Sequence, residues 1–210
     1  LMGITIVLSR RFRTRPPVDP IEANAVHGGR MSFRESLLVA GQTMLSSGFG
    51  ASVGLEAGYT QIASGVASKL AIFAGLRRNE VRTLVGCGAA GAIAAAFGAP
   101  LTGAFYAFEL IVGVYSIALL APVTIAALAG YLVANWLGGV QTPIDVGSVP
   151  QMGAWDAVPF LLLGIVGGGV AIAIMRLVNL IDHAYGTIRL PAMLRPAIGG
   201  ILVGGLALLN

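Results

Sequence analysis

The chain has 210 residues, of which 56% are apolar and only 10% carry a charge. Its mean hydropathy is +0.85, its net charge is +4 and its isoelectric point is 9.7. A soluble protein has about 25% charged residues, so this composition argues against a soluble enzyme and predicts a protein whose solvent is lipid. The apolar content also excludes disorder. A single cysteine, Cys87, excludes an internal disulfide framework and a cysteine zinc cluster.

The basic residues lie in short clusters between apolar runs and are not spread over an aromatic face, as nucleic-acid binding would require. Arginine in short loops beside apolar segments is what the positive-inside rule produces. We therefore predict no nucleic-acid partner and several membrane crossings. The clusters are Arg10, Arg11, Arg13 and Arg15; Arg30 and Arg34; Arg77, Arg78 and Arg82; and Arg189 and Arg195.

The first third of the chain predicts two apolar segments behind a proline-rich stretch. Residues 1–8 have the pattern of the tail of an apolar helix, and the chain starts at Leu1, so we expect both ends to be cut from a longer protein. The prolines within residues 16–20 resist helix formation. Apolar segments follow at residues 36–53 and 59–76.

The next predicted helix follows a polar loop at residues 77–80. Asn79 is expected to cap this helix, and Glu80 in its first turn suits the positive end of the helix dipole. Residues 86–96 are almost all small. In lipid, close backbone contact through small side chains drives helix packing, so we expect this helix to lie inside the bundle.

Residues 83–144 contain one charged side chain, Glu109. A membrane helix needs about 20 apolar residues, so this run predicts two to three spans, with breaks at Pro100 and Pro122. The polar, turn-rich stretch 139–156 predicts a loop between two halves. The predicted organisation is a first half at residues 1–140, a connecting loop at 141–157 and the start of a second half at 158–210. Within that second half we expect a span at 159–177, a basic loop at 189–195 and a further helix at 197–209.

No residue pattern indicates an enzyme, a metal site or a cofactor. His27 and His183 are predicted to be solvated loop residues, because neither has the cysteine or carboxylate spacing of a zinc site. Residues 86–91 fit the dinucleotide-binding glycine pattern formally, but they follow no strand.

The informative segment is residues 54–61, which lies between two apolar segments. Its glycines let a membrane helix break, and a broken helix at that depth is tolerated inside protein or against a watery cavity. The helix that starts after the break points free N–H groups and a positive dipole end into that cavity, where they can replace the water around an anion. Many transporters build their binding sites in this way.

Glu56 lies at the predicted helix start and can occupy the anion position as a tethered anion. Protonation would remove its charge, so that it could swing away and let a mobile anion enter. An acidic side chain inside the membrane costs free energy, so a functional role is a better explanation for Glu56 than a structural one. Glu109 is the second such acid, with two interpretations: a secondary proton site, or a helix-end glutamate bonded to loop groups near the interface.

Two stretches resemble the CLC chloride channels and proton–chloride exchangers. Residues 54–58, GLEAG, resemble the GREGP element of that family. Residues 85–109, VGCGAAGAIAAAFGAPLTGAFYAFE, resemble its GCGAAAGIAAAFNAPLAGVLFALEE element without a gap. The order and spacing of the two elements also fit.

This resemblance implies an all-α, polytopic membrane protein with the tilted and broken helices of a CLC-type inverted-repeat bundle. It further implies a chloride pathway in each subunit of a homodimer, in a lipid bilayer that we expect to be a bacterial inner membrane. Glu56 would be the gating glutamate. The backbone amides of Ala57, Gly58 and Tyr59 would face the outer anion position.

The chain departs from the family pattern at three places. Residues 16–20 stand where the family's GSGIP element supplies an anion-coordinating serine, and no serine is present there. Leu55 and Gly58 replace the arginine and the proline of GREGP. Glu109 aligns with the first glutamate of the family's pair and Leu110 with the second, which favours a channel or a weakly proton-coupled exchanger.

Two other functions remain open from the residues. One is a secondary transporter for a cation or an organic solute, with Glu56 and Glu109 as ligands or proton sites. The other is a membrane subunit that transports nothing, which the missing serine favours.

Overall fold

The computed structural model describes residues 17–51, 54–138, 153, 155, 157–187 and 195–208. The chain divides into two units, residues 1–143 and 144–210, which we describe separately. Throughout the described ranges the regular secondary structure is helical, without a strand. The predicted tail at residues 1–8, the loop at 139–152 and the basic residues 189–194 lie outside those ranges.

Within its described residues, the first unit contains six helices and one π-helical segment. They are α1 (Pro20–Ala25), α2 (Phe33–Gly48), α3 (Glu56–Phe73), α4 (Arg78–Phe97), α5 (Pro100–Tyr106), the π segment (Ala107–Val112) and α6 (Ile117–Trp136). The second unit contains α7 (Ala157–Thr187) and α8 (Arg195–Leu208). In the part of the chain that the structure describes, three helices are long and apolar enough to cross a membrane: α4, α6 and residues 157–184 of α7. The all-helical membrane fold is therefore confirmed.

Local chemistry explains where the first helices begin. Asp19 caps α1 by accepting a hydrogen bond from the Glu22 amide at 2.7 Å, and Pro20 occupies the first helical position, where its missing N–H costs nothing. The prediction that the proline-rich stretch resists helix formation is thus wrong at Pro20, which begins a short helix that the sequence did not predict. At α4, the Glu80 carboxylate accepts from the amide of Arg77 at 2.7 Å.

The predicted cap at Asn79 is wrong, because α4 begins earlier than expected. Arg77 is the residue before the helix, and Asn79 already lies within its first turn. The carbonyl of Asn79 accepts a bond from the Thr83 hydroxyl at 3.0 Å, as an internal helical residue can. Glu80 does lie in the first turn, as predicted.

The two predicted breaks have opposite outcomes. At Pro100 the break is confirmed: Gly98 ends α4 with a φ of 63°, and Pro100 begins α5. At Pro122 the prediction is wrong, because α6 continues through it. This proline lies early in its helix, so it removes only the backbone bond to Ala118 and leaves most of the helix intact.

Helix α4 lies at the centre of the first unit and packs against α3, α5 and α6. Its buried residues include Val85, Ala89 and Ala90. The packing is so close that a Cβ atom placed on Gly88 would lie 2.6 Å from the Ala63 carbonyl oxygen of α3. The prediction that this small-residue helix lies inside the bundle is confirmed.

The second unit differs from its prediction in helix length. Helix α7 begins and ends outside the predicted span 159–177. His183 consequently lies within α7, so its assignment to a loop is wrong. Helix α8 begins at Arg195, which was expected to end the basic loop. His27 does lie in the turn after α1 with an exposed side chain, as predicted.

Candidate functional site

The candidate site lies where the chain passes from α2 to α3. Helix α2 ends at Gly48 and α3 begins at Glu56, so the two apolar segments are separated by an interruption, as predicted. Gly50 and Gly54 adopt φ values of 88° and 71° within it. These values are favourable for glycine and costly for other residues, which explains why the break carries glycines.

Glu56 is the first residue of α3, and its side chain folds back over Gly54. A Cβ atom on Gly54 would collide with the Glu56 carboxylate, lying 2.8 Å from its Cδ atom and nearer still to one oxygen. The absent side chain at Gly54 is therefore what leaves room for the carboxylate in this position. The side chain of Glu56 is exposed in the described structure.

Three backbone amides at the start of α3 were predicted to face an anion. Two of them have no hydrogen-bond acceptor within the helix, because they lie in its first turn. The first amides of any helix lack such a partner, and this applies to Ala57 and Gly58. Tyr59 differs, because its amide donates to the Leu55 carbonyl at 3.0 Å and is already engaged. Gly58 is buried against α2, where a Cβ atom would lie 3.6 Å from both Ala40 Cα and Thr43 Cβ.

A stripe of buried polar side chains holds α3 in position. Gln61 donates to the Val18 carbonyl at 2.9 Å, and Ser64 donates to the Val85 carbonyl of α4 at 3.0 Å. Ser68 donates to a loop carbonyl at 2.6 Å. The sequence analysis missed these residues. Their spacing of three and four residues, which places them on one face of a helix, was the signal that could have found them.

Glu109 lies apart from the α3 site, in the π segment. Tyr115 donates a hydrogen bond to its Oε1 atom at 2.9 Å, and the Tyr115 ring lies 5.4 Å from the Phe108 ring. Desolvation, and then the hydrogen bond to Glu109 and its charge, raise the pKa of the Tyr115 phenol. No hydrogen bond among the described residues joins Glu109 to Glu56. The loop partner of Glu109 fits the interpretation of a helix-end glutamate.

Cys87 is buried as a free thiol. Over the described ranges, no group of three or more histidine, cysteine, aspartate or glutamate side chains is placed to hold a metal ion. The groups present at the start of α3 are backbone amide donors, the positive end of a helix dipole and one nearby carboxylate, and these groups act on a ligand through electrostatics.

Comparison with known proteins gives a consistent result. The family model described as voltage gated chloride channel matches residues 3–210. A ClcB-like protein of Ralstonia nicotianae is 30% identical over 215 residues, which cover 99% of this chain and 50% of that protein. The voltage-gated ClC-type chloride channel ClcB of Yersinia pseudotuberculosis is 32% identical over 205 residues, covering 94% of this chain and 48% of the channel. The chain spans about half the length of the curated relatives it matches.

No solved structure gives a significant match. The family model nevertheless covers nearly the whole chain, including both the interruption before α3 and the small-residue helix α4. The chain belongs to the voltage-gated chloride channel family, also called the CLC family.

Proposed function

We propose that the full-length protein moves chloride across a bacterial inner membrane as a homodimer, with Glu56 as the gating group. The observation that carries this proposal is the position of Glu56 as the first residue of α3, with its carboxylate folded over Gly54. The relatives named as ClcB chloride channels, from Yersinia and Escherichia coli among others, give independent support for chloride as the ion.

In the proposed mechanism, the Glu56 carboxylate and a mobile anion compete for the positive N-terminal end of α3. The dipole and free amides of α3 attract a negative charge. The Glu56 carboxylate is attached beside them, so it competes with a mobile anion for the same donors. Protonation removes its charge and weakens its hold, so we expect anion passage to increase as pH falls. Ala57 and Gly58 are the amides that we propose face the ion, because Tyr59 already donates within the helix.

The start of α1 limits where chloride can bind. Asp19 places a carboxylate on that helix end and uses it to accept the Glu22 amide. This is the region that replaces the family's serine-containing element. A halide near the start of α1 would be repelled by the Asp19 carboxylate. We therefore propose that the start of α3 is the main anion-binding site in this half of the protein.

The test is chloride flux from liposomes that contain the full-length protein, measured over a range of pH. We expect Glu56→Gln to abolish the dependence of flux on pH, because the amide side chain cannot titrate. The matched control is Glu35→Gln, which makes the same change in the first turn of α2 and should leave the pH profile unchanged. Equal pH profiles for wild type and Glu56→Gln would rule out the gating role.

The same assay separates the alternatives. Flux of an alkali cation in place of chloride would indicate the secondary transporter, and absence of any flux in the wild type would indicate a non-transporting subunit. Glu109→Gln in parallel tests whether Glu109 contributes a proton step. If it is only a helix-end glutamate, proton movement coupled to chloride should be unchanged.

A further inference from the structure

A cavity of about 480 Å³ lies between the loop that joins α1 to α2 and the turn that joins α3 to α4. Three of its lining residues can carry positive charge, and no carboxylate lines it: His27, Arg30 and Arg78. The rest of the wall includes apolar side chains from both elements, among them Val26 and Leu76. The cavity therefore combines a cationic rim with an apolar wall.

The two arginines are not neutralised by the residues that the structure describes. Among these, the one close contact between an acidic and a basic side chain joins His27 Nε2 to Glu22 Oε1 at 3.7 Å, and neither Arg30 nor Arg78 takes part in it. Both arginines are exposed. Two unpaired guanidinium groups at one cavity attract an anion, and their planar donors match phosphate oxygens in pairs.

The loop geometry brings Arg78 to the cavity. The side chain of Arg78 crosses Gly28, where a Cβ atom would lie 2.8 Å from Arg78 Cγ. Gly28 also has a φ of 63°, so a larger residue would both strain the loop and displace the arginine. One turn further along α4, Arg82 has an Nε atom that is shielded from solvent and lacks a hydrogen-bond partner in the described structure.

We propose that this cavity binds a phosphate group, carried by an anionic lipid headgroup or by a soluble phosphate compound. The clustering of arginine in these loops indicates the cytoplasmic side of the membrane, where anionic lipids attract basic residues near the surface. Helix α3 has 18 residues and separates the cavity from Glu56, a distance of about 27 Å at 1.5 Å per residue. The proposal does not depend on the chloride pathway.

The test uses the full-length protein in nanodiscs of phosphatidylcholine, with thermal unfolding as the readout at fixed chloride and ionic strength. One arm adds inorganic phosphate, and the other replaces part of the phosphatidylcholine with phosphatidylglycerol. We expect the wild type to unfold a few degrees higher in at least one arm, since a ligand that binds only the folded state stabilises it. The double variant Arg30→Gln/Arg78→Gln should lose that shift.

The matched control is Arg34→Gln/Arg77→Gln, which removes the same charge from exposed residues outside the cavity and should keep the shift. A shift with phosphatidylglycerol alone identifies a lipid headgroup, and a shift with inorganic phosphate identifies a soluble phosphate compound. If the arginine variant does not fold, Val26→Trp fills the cavity from an exposed position with all charges kept, and should also lose the shift. The proposal is overturned if the wild type shifts in neither arm, if the cavity variants keep the shift, or if the control loses it too.

Discussion

At the scale of single residues, buried polar side chains connect the elements of the first unit. Asn24 of α1 is 1% exposed, and its Nδ2 atom donates to the Arg82 carbonyl at 3.0 Å and to the Ile111 carbonyl at 3.1 Å. One side chain thus joins α1 to α4 and to the π segment. A buried carbonyl that loses its donor cannot recover it from lipid.

We therefore expect Asn24→Ala to destabilise the protein by about 1–3 kcal/mol, the usual cost of leaving a buried polar group unsatisfied. Chemical or thermal unfolding of the full-length protein measures this change. Asn135→Ala, an exposed position near the end of α6, is the control and should have little effect. Equal stability of the two variants would contradict the connecting role of Asn24.

Tyr115 gives a prediction about pH. The pKa of its phenol is raised, by desolvation first and then by the hydrogen bond and charge of Glu109. A raised pKa means that the folded state favours the protonated phenol, so this contribution is complete below the ordinary value of about 10 and is lost as pH rises through the raised value. The absorbance of tyrosinate, with Tyr115→Phe subtracted, measures the titration.

Glu109→Gln should lower the pKa of Tyr115 because it removes the negative charge beside the phenol. The direction of change is the test: an unchanged Tyr115 titration would show that the hydrogen bond between the two side chains does not persist in the membrane.

At the scale of elements, α4 is held by contacts between backbones. A Cβ atom on Gly88 would approach Ala63 of α3, and one on Gly130 of α6 would lie 2.8 Å from the Gly91 Cα atom of α4. Helices that meet this closely gain dispersion energy that lipid cannot supply. Small residues are thus required at these positions on geometric grounds.

Gly88→Ala tests the α3–α4 contact. Alanine is ordinarily the better helix former by about 0.5–1 kcal/mol, but overpacking costs about 1–3 kcal/mol, so we expect a net loss of stability. Gly41→Ala in α2, where a Cβ atom meets nothing within 4 Å, should be neutral or stabilising. Thermal unfolding compares the stability of the two variants. A gain of stability for Gly88→Ala would show that α3 and α4 separate easily.

At the scale of the whole molecule, the fold class and the interior position of α4 could be predicted from sequence. The length of the apolar segments indicates helices that cross a membrane, and the small residues of α4 indicate close helix packing. The two prolines show the limit. Pro100 and Pro122 are the same residue in similar apolar surroundings, yet only Pro100 follows a glycine that has already ended its helix.

The site shows a similar limit. The position of Glu56 at a helix start follows from the glycines before it, and this could be predicted. Which amides lack an intrahelical acceptor depends on the exact first residue of α3, and the Tyr59 amide already donates to the Leu55 carbonyl. That these amides face an anion stays a prediction. The buried stripe that includes Ser64 was missed although its spacing marks one face of a helix, because the spacing alone does not show which carbonyl groups that face meets. The division into two halves and the homodimer remain predictions.

The close backbone contacts of α4 have a consequence for movement. At Gly88 and Gly91, α4 meets its neighbours through main-chain atoms, and glycine has no side-chain rotamers that could adjust to a shift at these contacts. Sliding one helix along another would drive main-chain atoms into each other, which makes this centre a rigid frame. We therefore expect the proposed gate to work by rotation of the Glu56 side chain at the edge of this frame, without any sliding of the helices.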